Sequence, residues 1–397
     1  MNFFWTISLF FAVYFYRLLT AILSVLLRKK SSANGILFLE NFPVENAGYQ
    51  YRAYKWKLEF EKDGQRSEVV NIFEDKGDFD RQFANMPRLL FRAMRRRFRQ
   101  CLYARRFAAV IVRRELLQFN DYGNLFMEKF LLRIHPNVIL DFDDDISAAK
   151  CEPREISSLY GKLLQENGNK FNDSLRLYTR FVVGSDYLKK KVLSENKNIG
   201  SNNVTVVPTC VDYAEFPQKK YDQTKTEIVL GWIGGNQNLH YLDMIVGPLN
   251  MLAKEFRFRL IVVAGRDYIN DNAEFVIENR RWSLETEKDL IKGFDIGLMP
   301  IEDNAVGRGK CGFKLLQYMG LGVVGVATDV TINGEIIDDG QNGFLVNSDN
   351  SNWYEVLKKT LSLQDKYVEI GDNARKTVSR KYSFVANVER YMEFILS

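Results

Sequence analysis

Residues 307–322, GRGKCGFKLLQYMGLG, bring two lysines to the start of a predicted helix that follows a glycine-rich loop. The amino end of a helix already carries about half a positive charge, so lysines are unfavourable there unless an anion binds. Lys310 and Lys314 therefore indicate a phosphate site. Near Gly312, backbone N–H groups and Lys314 would hold a diphosphate, and Gln317 on the same helix face would hydrogen-bond a ribose hydroxyl.

A second glycine-rich turn, GWIGGNQN, follows another predicted strand. Gly234 and Gly235 let the backbone approach a ligand, and Asn236 comes next at the expected helix start. Because the spacing is not GxGxxG, the dinucleotide-binding fingerprint is absent. Farther along, Asn333 and Glu335 follow a strand end. Glu335 could bind a sugar hydroxyl, or it could be only an acid at a helix start.

Four aspartates crowd the end of the strand in VILDFDDDIS, residues 138–147. The spacing fits a DxD site that holds a diphosphate through Mg²⁺ or Mn²⁺. It also fits carboxylates that bind or deprotonate an acceptor hydroxyl, which is a role for Asp143 and Asp144, or a helix N-cap cluster. The acceptor interpretation needs no metal, since Lys310 and Lys314 already neutralise phosphate.

A neighbouring predicted strand is followed by residues of opposite charge in VRREL, residues 112–116. Arg114 and Glu115 follow the last apolar residues of that strand. Because the ends of parallel strands meet at one edge of a sheet, Arg114 is expected to pair with Asp143 there.

The amino end of the chain is typical of a membrane segment. Residues 3–27 are apolar except for Arg17 and a few hydroxyls, and as a helix they would extend roughly 37 Å, enough to cross a bilayer. RKK at 28–30 predicts a cytoplasmic location for residues 31–397. Arg17 would be costly at mid-bilayer, so a re-entrant or interfacial helix and a buried core helix stay open.

Residues 88–106 form a second basic feature, with eight arginines and no acid. Phe91, Met94, Phe98 and Leu102 recur at helical spacing and form an apolar stripe. The pattern predicts an amphipathic helix for an anionic lipid surface or a lipid-linked substrate. Nucleic acid is the competing partner, and the apolar amino-terminal segment favours the membrane over it.

Composition limits the other possibilities. The 397 residues carry a net charge of +5 and 46% hydrophobic residues, enough for two domains with sizeable cores. Four widely separated cysteines form no CxxC pair, which argues against a disulfide framework or a zinc knuckle. With only two histidines, a histidine-based metal cluster is nearly excluded.

Short apolar runs alternate with helical stretches along the chain, which predicts βαβ units and parallel sheets. A polar stretch at 217–227 separates two such α/β modules, and the cleft between them is the expected ligand site. The predicted strands are 35–40, 67–73, 108–114, 137–142, 180–185, 204–209, 228–235, 259–265, 294–301, 322–328 and 342–346.

These motifs, in this order along the chain, resemble those of a bacterial membrane-associated glycosyltransferase of the GT-B fold, related to the retaining family-four (group 1) enzymes. The resemblance is carried by VRREL, VILDFDDDI, VPTCVD, LGWIGG, FDIGLMPI, GKCGFKLLQYMGLG and TINGEIIDDGQNGFLV. It implies two Rossmann-like α/β domains facing across a cleft, with an amino-terminal membrane helix. The expected divisions are an anchor at 1–30, an acceptor domain at 31–217, a nucleotide-sugar domain at 218–380 and a carboxyl-terminal helix at 381–397 that packs back on the first domain.

The resemblance also implies an activity, namely metal-independent hexosyl transfer from a nucleotide sugar to a lipid-linked glycan, with retention of configuration and no cofactor. Capsule, O-antigen or exopolysaccharide synthesis at the cytoplasmic face of the inner membrane is the expected setting. Residues 1–30 and 88–106 would contact the anionic membrane, and no nucleic acid would bind. Two rivals stay open: a nucleotide-sugar epimerase of the same fold and a non-catalytic subunit of an assembly complex.

The resemblance distributes roles among the candidate residues. The family's glutamate pair is replaced here by Gly309–Lys310 and Gln317, so lysine is expected to hold the diphosphate. The expected catalytic residues are Asp143, Asp144, Lys314 and Glu335. The expected acceptor-binding residues are Arg52, Arg114, Glu115 and Asp141. The expected donor-binding residues are Gly234, Gly235, Asn236, Lys310, Gly312, Phe313, Lys314, Gln317, Asn333 and Glu335.

Overall fold

The computed structural model describes residues 2–32, 34–73, 77, 87–117, 125–147, 170–222 and 227–397. The chain divides into two compact units: Met1–Pro208 with Val388–Ser397, and Thr209–Asn387. We call these unit 1 and unit 2. This boundary lies before the predicted linker at 217–227. Part of that linker is outside the described residues, and so is Cys151, one of the four cysteines. The predicted cleft between domains stays a prediction.

Unit 1 contains a parallel six-stranded sheet in the order β2-β1-β3-β4-β5-β6. Four of its strands are buried along their whole length, as expected when helices cover both faces. The strands are β1 Ile36–Glu40, β2 Ser67–Asn71, β3 Ala109–Arg113, β4 Val138–Phe142, β5 Phe181–Val183 and β6 Val204–Val206.

The helices of unit 1 lie mostly between these strands. A helical turn, Ala47–Tyr49, and a π-helical turn, Gln50–Tyr54, lead into α2, and a 3₁₀ turn, Ala104–Arg106, ends α3. The predicted helices at 3–27 and 88–106 are thus both present. The helices are α1 Asn2–Leu26, α2 Lys55–Lys62, α3 Pro87–Tyr103, α4 Phe126–Ile134, α5 Lys170–Leu177 and α6 Asp186–Glu195.

Unit 2 contains a second parallel six-stranded sheet, in the order β12-β11-β10-β7-β8-β9. Alternate residues of β7 enter different cores: Leu230 and Trp232 join one cluster, and Val229 and Ile233 join the other. The strands are β7 Ile228–Ile233, β8 Phe258–Ala264, β9 Val276–Arg281, β10 Ile296–Met299, β11 Val324–Thr328 and β12 Phe344–Val346.

The helices of unit 2 cover both faces of this sheet. A 3₁₀ helix, Asn236–Ile245, follows β7 directly and continues into α7. The α-helices are α7 Val246–Ala253, α8 Glu287–Lys292, α9 Ala305–Arg308, α10 Phe313–Leu321, α11 Ile332–Ile336, α12 Trp353–Leu361, α13 Tyr367–Lys381 and α14 Phe384–Leu396. From Val388 onward, α14 groups with unit 1.

The predicted α/β fold class with parallel sheets is confirmed, and each of the eleven predicted strands corresponds to an observed one. One observed strand, β9, has no predicted counterpart. Half of its residues, in VIENRR, are charged and none is buried, because the strand lies at the sheet edge and pairs only with β8. It therefore lacks the apolar run by which buried strands are recognised.

Candidate functional site

Both sheets reverse their strand order at one point, and the candidate residues follow the strands on either side of it. In unit 1 the reversal lies between β1 and β3, and in unit 2 between β7 and β10. Open parallel sheets bind ligands beyond the carboxyl ends of strands at such points. Arg114 follows β3, Gly234 follows β7, and the loop after β10 leads to Lys310. Topology thus indicates one candidate ligand-binding region in each unit, at the carboxyl ends of the strands beside the reversal. We call each region the half-site of its unit.

The unit 2 half-site is built on the turn after β7. The ammonium of Lys314, from the first turn of α10, lies 4.4 Å from the centre of the Trp232 ring. It passes so close to Gly234 that an added Cβ there would lie 2.6 Å from Lys314 Cε and 2.8 Å from Nζ. A larger residue at position 234 would therefore displace the lysine or the Trp232 ring, which also lies 2.6 Å from the added Cβ.

Lys310 reaches the same turn. Its Nζ lies 3.5 Å from Oδ1 of Asn238, in the 3₁₀ helix that follows β7. Gly312 caps α10 with φ of +69°, a conformation that glycine adopts without strain, and it packs closely against Ile336 of α11. The two predicted lysines therefore converge on one turn beside a helix amino terminus.

Tyr318 fixes α10 against the sheet, a role that the sequence did not reveal. Its hydroxyl accepts from the backbone N–H of Ile233 at 3.1 Å and donates to the carbonyl oxygen of Leu298 at 3.2 Å. Gly297 of β10 leaves room for the ring, since an added Cβ would lie 2.4 Å from it. Burial raises the pKa of Tyr318, so it stays a neutral donor and acceptor. Tyr318 thereby holds α10 and Lys314 at the end of β7.

The remaining predicted donor residues surround this turn with different exposure. Gly235 and Asn236 are exposed, and the Asn236 side chain lies beside Gly265, which follows β8. Phe313 is half-buried against the core, and Gln317 is only 3% exposed. The ribose contact predicted for Gln317 therefore has little side-chain surface available to it and stays a prediction.

Asn333 and Glu335 lie on α11, which Gly312 contacts through Ile336. Asn333 is fully buried and donates to the carbonyl oxygen of Thr328 at 3.0 Å, while its own Oδ1 has no partner among the described residues. Glu335 is exposed. Burial raises the pKa of Tyr382 to about 12, and the Glu335 carboxylate adds to that rise. Glu335 is thus the accessible member of the predicted pair.

The unit 1 half-site rests on a buried ion pair. Arg52, which the π-helical turn projects inward, pairs with Asp141 at the end of β4, with 2.5 Å between Nη2 and Oδ2. The same guanidinium donates to the carbonyl oxygens of Val207 and Pro208 at 2.8 and 3.1 Å. Both side chains of the pair are fully buried. Arg52 and Asp141 therefore build the frame of the half-site rather than its surface.

Arginines and aspartates alternate beyond this pair, toward the surface. Asp143 Oδ1 lies 2.5 Å from Arg113 Nη2 and 3.0 Å from Arg114 Nη2, and Arg114 also reaches Asp144 Oδ2 at 3.1 Å. The predicted pairing of Arg114 with Asp143 is therefore present in the structure. The Asp144 side chain is 31% exposed, but its Oδ1 atom is buried and has no hydrogen-bond partner within the described part of the chain.

This network separates the roles of the two aspartates. Burial opposes ionisation of Asp143, but the guanidiniums of Arg113, Arg114 and Arg52 outweigh it and hold the pKa of that carboxyl well below its usual range. A carboxylate held charged in this way is a weak base. Asp144, with a single arginine partner and an exposed edge, is better suited to accept a hydrogen bond from a bound hydroxyl.

Guanidiniums contact these carboxylates in the structure. Asp141 and Asp143 both contact arginine through the oxygens that a cation would need. Among the described residues, no cluster of three His, Cys, Asp or Glu side chains could hold a metal ion. These contacts are compatible with carboxylates that serve an acceptor, and the expectation that no metal is needed stays a prediction.

Buried polar residues that the sequence did not single out support this half-site. Arg97 of α3 donates to the carbonyl oxygens of Glu40 and Leu116 at 2.8 and 2.9 Å, so it joins the ends of β1 and β3. Burial lowers its pKa to about 10. Lys170 pairs with Glu115 at 3.0 Å. Arg97 sits within the basic segment predicted to face lipid, and only its burial separates it from the other arginines.

Backbone strain marks both half-sites. Arg114 has φ of +61° and Thr331, just before α11, has φ of +44°. Non-glycine residues adopt such conformations at a cost, and they persist mainly where surrounding contacts hold them, often at functional sites. Arg114 is held by its two aspartates, and Thr331 donates to the carbonyl oxygen of Arg308 at 3.0 Å.

Comparison with known sequences identifies part of the chain. Residues 227–362, which lie within unit 2 and include both lysines, match the family described as Glycosyl transferases group 1. No curated protein sequence matches the chain.

Solved structures resemble nearly the whole chain at low identity. A glycosyltransferase from Rickettsia africae is 14% identical, with 91% of this chain and 97% of that chain covered and a TM-score of 0.62. Sucrose-phosphate synthase from Thermosynechococcus elongatus is 10% identical, with coverages of 91% and 98% and a TM-score of 0.65. Anabaena HepE, crystallised with UDP-glucose, is 12% identical, with coverages of 90% and 98% and a TM-score of 0.57. Likeness at these identities shows the fold, which is GT-B.

Proposed function

We propose that the chain, which is a glycosyltransferase of the GT-B fold, moves a sugar from a nucleotide-sugar donor held by unit 2 to a lipid-linked glycan acceptor bound by unit 1. The observation that carries the proposal is the convergence of Lys310 and Lys314 on the turn after β7, beside the amino terminus of α10. The UDP-glucose bound by Anabaena HepE supports a donor of this class.

In this proposal, unit 2 stabilises the leaving diphosphate. Charge develops on the phosphate oxygens as the bond to the sugar breaks, and the Lys314 ammonium and the helix amino terminus would stabilise that charge. The Trp232 ring attracts the ammonium through a cation–π interaction and so restrains the lysine side chain. Preorganised groups of this kind commonly contribute a factor of about 10²–10³ to the rate.

Unit 1 supplies the acceptor contacts. The partly exposed residues Arg114, Glu115 and Asp144 are the proposed surface, and buried Asp141 and Asp143 hold them in position. Asp144 would accept a hydrogen bond from the attacking hydroxyl. We propose that the reaction needs no metal or cofactor, because arginine and lysine already balance the charges. Retention of configuration is part of the proposal and follows from the group 1 resemblance.

The cellular setting is also part of the proposal. Helix α1 contains the one segment among the described residues, Ile7–Leu26, that is long and apolar enough to cross a bilayer. The basic residues 28–30, directly after it, suit the anionic cytoplasmic face of the inner membrane. A lipid-linked acceptor at that face fits the synthesis of capsule, O-antigen or exopolysaccharide.

The test is sugar transfer by the purified full-length protein. A panel of radiolabelled nucleotide sugars is incubated with and without lipid-linked oligosaccharides, and products are separated. We expect acceptor-dependent transfer from at least one donor, and a loss of about 100-fold in Lys314→Ala. Lys376→Ala, which changes an exposed lysine of unit 2, is the matched control.

Three outcomes would contradict the proposal. Epimerised nucleotide sugar formed without acceptor would indicate the rival epimerase. The absence of any nucleotide-sugar binding by calorimetry would indicate a non-catalytic subunit. Full activity in Lys314→Ala would show that the diphosphate is bound elsewhere.

A further inference from the structure

Helix α1 has one face in the protein core and an apolar face in solvent. Leu9, Val13, Tyr16 and Thr20 are buried, and the helix packs along α3 and α4 of unit 1. The opposite face is formed by large apolar side chains. These are, with their exposed fractions, Ile7 37%, Phe11 67%, Tyr14 47%, Phe15 59%, Leu18 63%, Ile22 48%, Val25 83% and Leu26 70%.

This exposed face is a continuous ridge. From Ile7 to Leu26 a helix rises about 28 Å, and the exposed residues recur every three or four positions along it. Soluble proteins rarely leave so many large apolar side chains together in water, and such patches mark contacts with a membrane or another protein. The ridge therefore requires an occupant.

Helix α3, which packs beside α1, carries an exposed row of arginines. Arg88, Arg92, Arg95 and Arg99 are exposed and repeat at helical spacing, so they form one row. The row lies next to α1, because the rings of Tyr16 and Phe98 are 5.2 Å apart. Burial raises the pKa of Tyr16, and the positive charges of Arg95 and Arg99 oppose that rise.

The packing of α1 argues against a helix that crosses the bilayer. Beyond its end, the chain is tied to unit 1 by Lys30 N–H to the carbonyl oxygen of Ile134 at 3.0 Å and by Ser32 N–H to that of Phe107 at 3.1 Å. To cross, α1 would have to leave its core or draw the arginine row into hydrocarbon, at a cost of about 2.5–3.5 kcal/mol per arginine. A helix lying flat avoids both costs.

Charge also argues against a second copy of the chain as the occupant. Two copies that buried their ridges against each other would bring two rows of arginines together, and like charges repel. An anionic bilayer instead offers hydrocarbon to the ridge and phosphate to the row. Arg17, which is half-buried on α1, could then reach the head groups rather than the bilayer centre.

We propose that α1 lies flat in the interface of an anionic phospholipid bilayer, with its ridge in the acyl region and the arginine row on the head groups. The inference rests on the proposed function, because a lipid-linked acceptor is presented at such a surface. It specifies the partner of unit 1 as the anionic bilayer itself and makes α1 a surface helix rather than a spanning one.

The first test measures binding of the full-length protein to sealed vesicles. Vesicles of phosphatidylcholine are compared with vesicles in which about one lipid in three is the anionic phosphatidylglycerol. We expect preference for the anionic vesicles and about 100-fold weaker partition of the double variant Phe11→Asp/Leu18→Asp. Ile269→Asp/Val276→Asp is the matched control, since these unit 2 residues are 79% and 63% exposed.

The second test reverses charge without changing the ridge. Arg95→Glu/Arg99→Glu should weaken binding to anionic vesicles by about 30-fold and leave binding to neutral vesicles unchanged. Lys376→Glu/Arg380→Glu on α13 has the same spacing and exposure and should bind as the wild type does. Equal binding by the arginine variant and this control would overturn the proposal.

The third test distinguishes a flat helix from a spanning one. Asn2→Cys and Lys29→Cys are each treated with a membrane-impermeant maleimide outside preformed vesicles, and labelling above the wild-type background is counted. A flat helix exposes both positions to the reagent. Protection of Asn2→Cys alone would show a spanning helix and overturn the proposal, as would a lipid-free dimer that Phe11→Asp dissociates.

The rate at which the protein consumes the nucleotide-sugar donor in detergent, without vesicles, distinguishes a failure of this inference from a failure of the proposed function. The ridge and row variants should consume donor at the wild-type rate there, because none of them lies in either half-site. Wild-type protein that turns over donor but ignores vesicles would refute the membrane inference alone. Protein that binds vesicles but never consumes donor would refute the proposed function alone.

Discussion

The substitution Gly234→Ala should weaken donor binding without adding or removing any charged group. The new Cβ would lie 2.6 Å from Lys314 Cε and 2.8 Å from Nζ, whereas carbon atoms in contact are normally about 3.5–4.0 Å apart. The ammonium must therefore move by about 1 Å. A hydrogen bond to a charged group is worth about 1.5–3 kcal/mol, so its loss should raise Kd for a nucleoside diphosphate about 10- to 150-fold.

The assay is isothermal calorimetry with UDP and ADP, each titrated into wild type and variant. Because the same Cβ would lie 2.6 Å from the Trp232 ring, we also expect the free energy of unfolding to fall by about 1–3 kcal/mol. Binding is therefore measured well below the melting temperature. Gly247→Ala is the control, since nothing lies within 4 Å of its added Cβ.

A double-mutant cycle tests whether the effect passes through the lysine. If it does, Gly234→Ala should cost almost no further affinity once Lys314→Ala is present, because coupled positions are not additive. Wild-type affinity in Gly234→Ala, or losses that add in the double variant, would refute the reasoning.

Three further predictions concern the two half-sites. Asp144→Asn should keep the wild-type stability and donor consumption but reduce transfer to acceptor by at least 10-fold, a typical loss when a positioned acid–base group is removed, measured by product separation. Asp143→Asn should lower the free energy of unfolding by about 3–5 kcal/mol in urea, because it leaves buried arginine charge uncompensated. Because folding lowers the pKa of Asp143, the ionised carboxylate stabilises the fold fully above the unfolded pKa of about 3.9, and this stabilisation is lost as pH falls below it. The difference in unfolding free energy between wild type and Asp143→Asn should therefore be large at pH 7 and should decrease below about pH 4. A difference that does not change with pH would contradict this prediction. Tyr318→Phe should cost about 1–3 kcal/mol in urea, because the N–H of Ile233 and the carbonyl of Leu298 lose a buried partner, and an unchanged midpoint would contradict the positioning role.

Most strands of the two sheets were predictable because they form short apolar runs, as is typical of strands covered by helices on both faces. Edge strand β9 was not, since its exposed and charged residues carry no such signal. Arg97 shows the same limit for side chains. An arginine in a basic helical segment is expected to be solvated, and only the fold shows that this one is buried against distant residues.

The lysines of the donor half-site were predictable from their unfavourable position at a helix start. What the sequence could not provide was Tyr318, whose importance arises from hydrogen bonds to residues of two other elements. The sequence also showed the aspartates as a cluster. That Asp141 and Asp143 are buried whereas Asp144 is partly exposed depends on pairing with arginines from β3 and from the π-helical turn, which the sequence does not show. For α1, the sequence left spanning and interfacial helices open, because apolar content does not reveal which face is packed.

The most direct test of the central claim compares a nucleoside diphosphate with the matching nucleoside, by calorimetry, on wild type and on Lys310→Ala/Lys314→Ala. If the two lysines bind the diphosphate, the wild type should prefer it by about 100-fold or more, since two charge-assisted contacts are each worth about 1.5–3 kcal/mol. The double variant should lose that preference and keep its affinity for the nucleoside. A preference for the diphosphate that survives in the double variant would contradict the account.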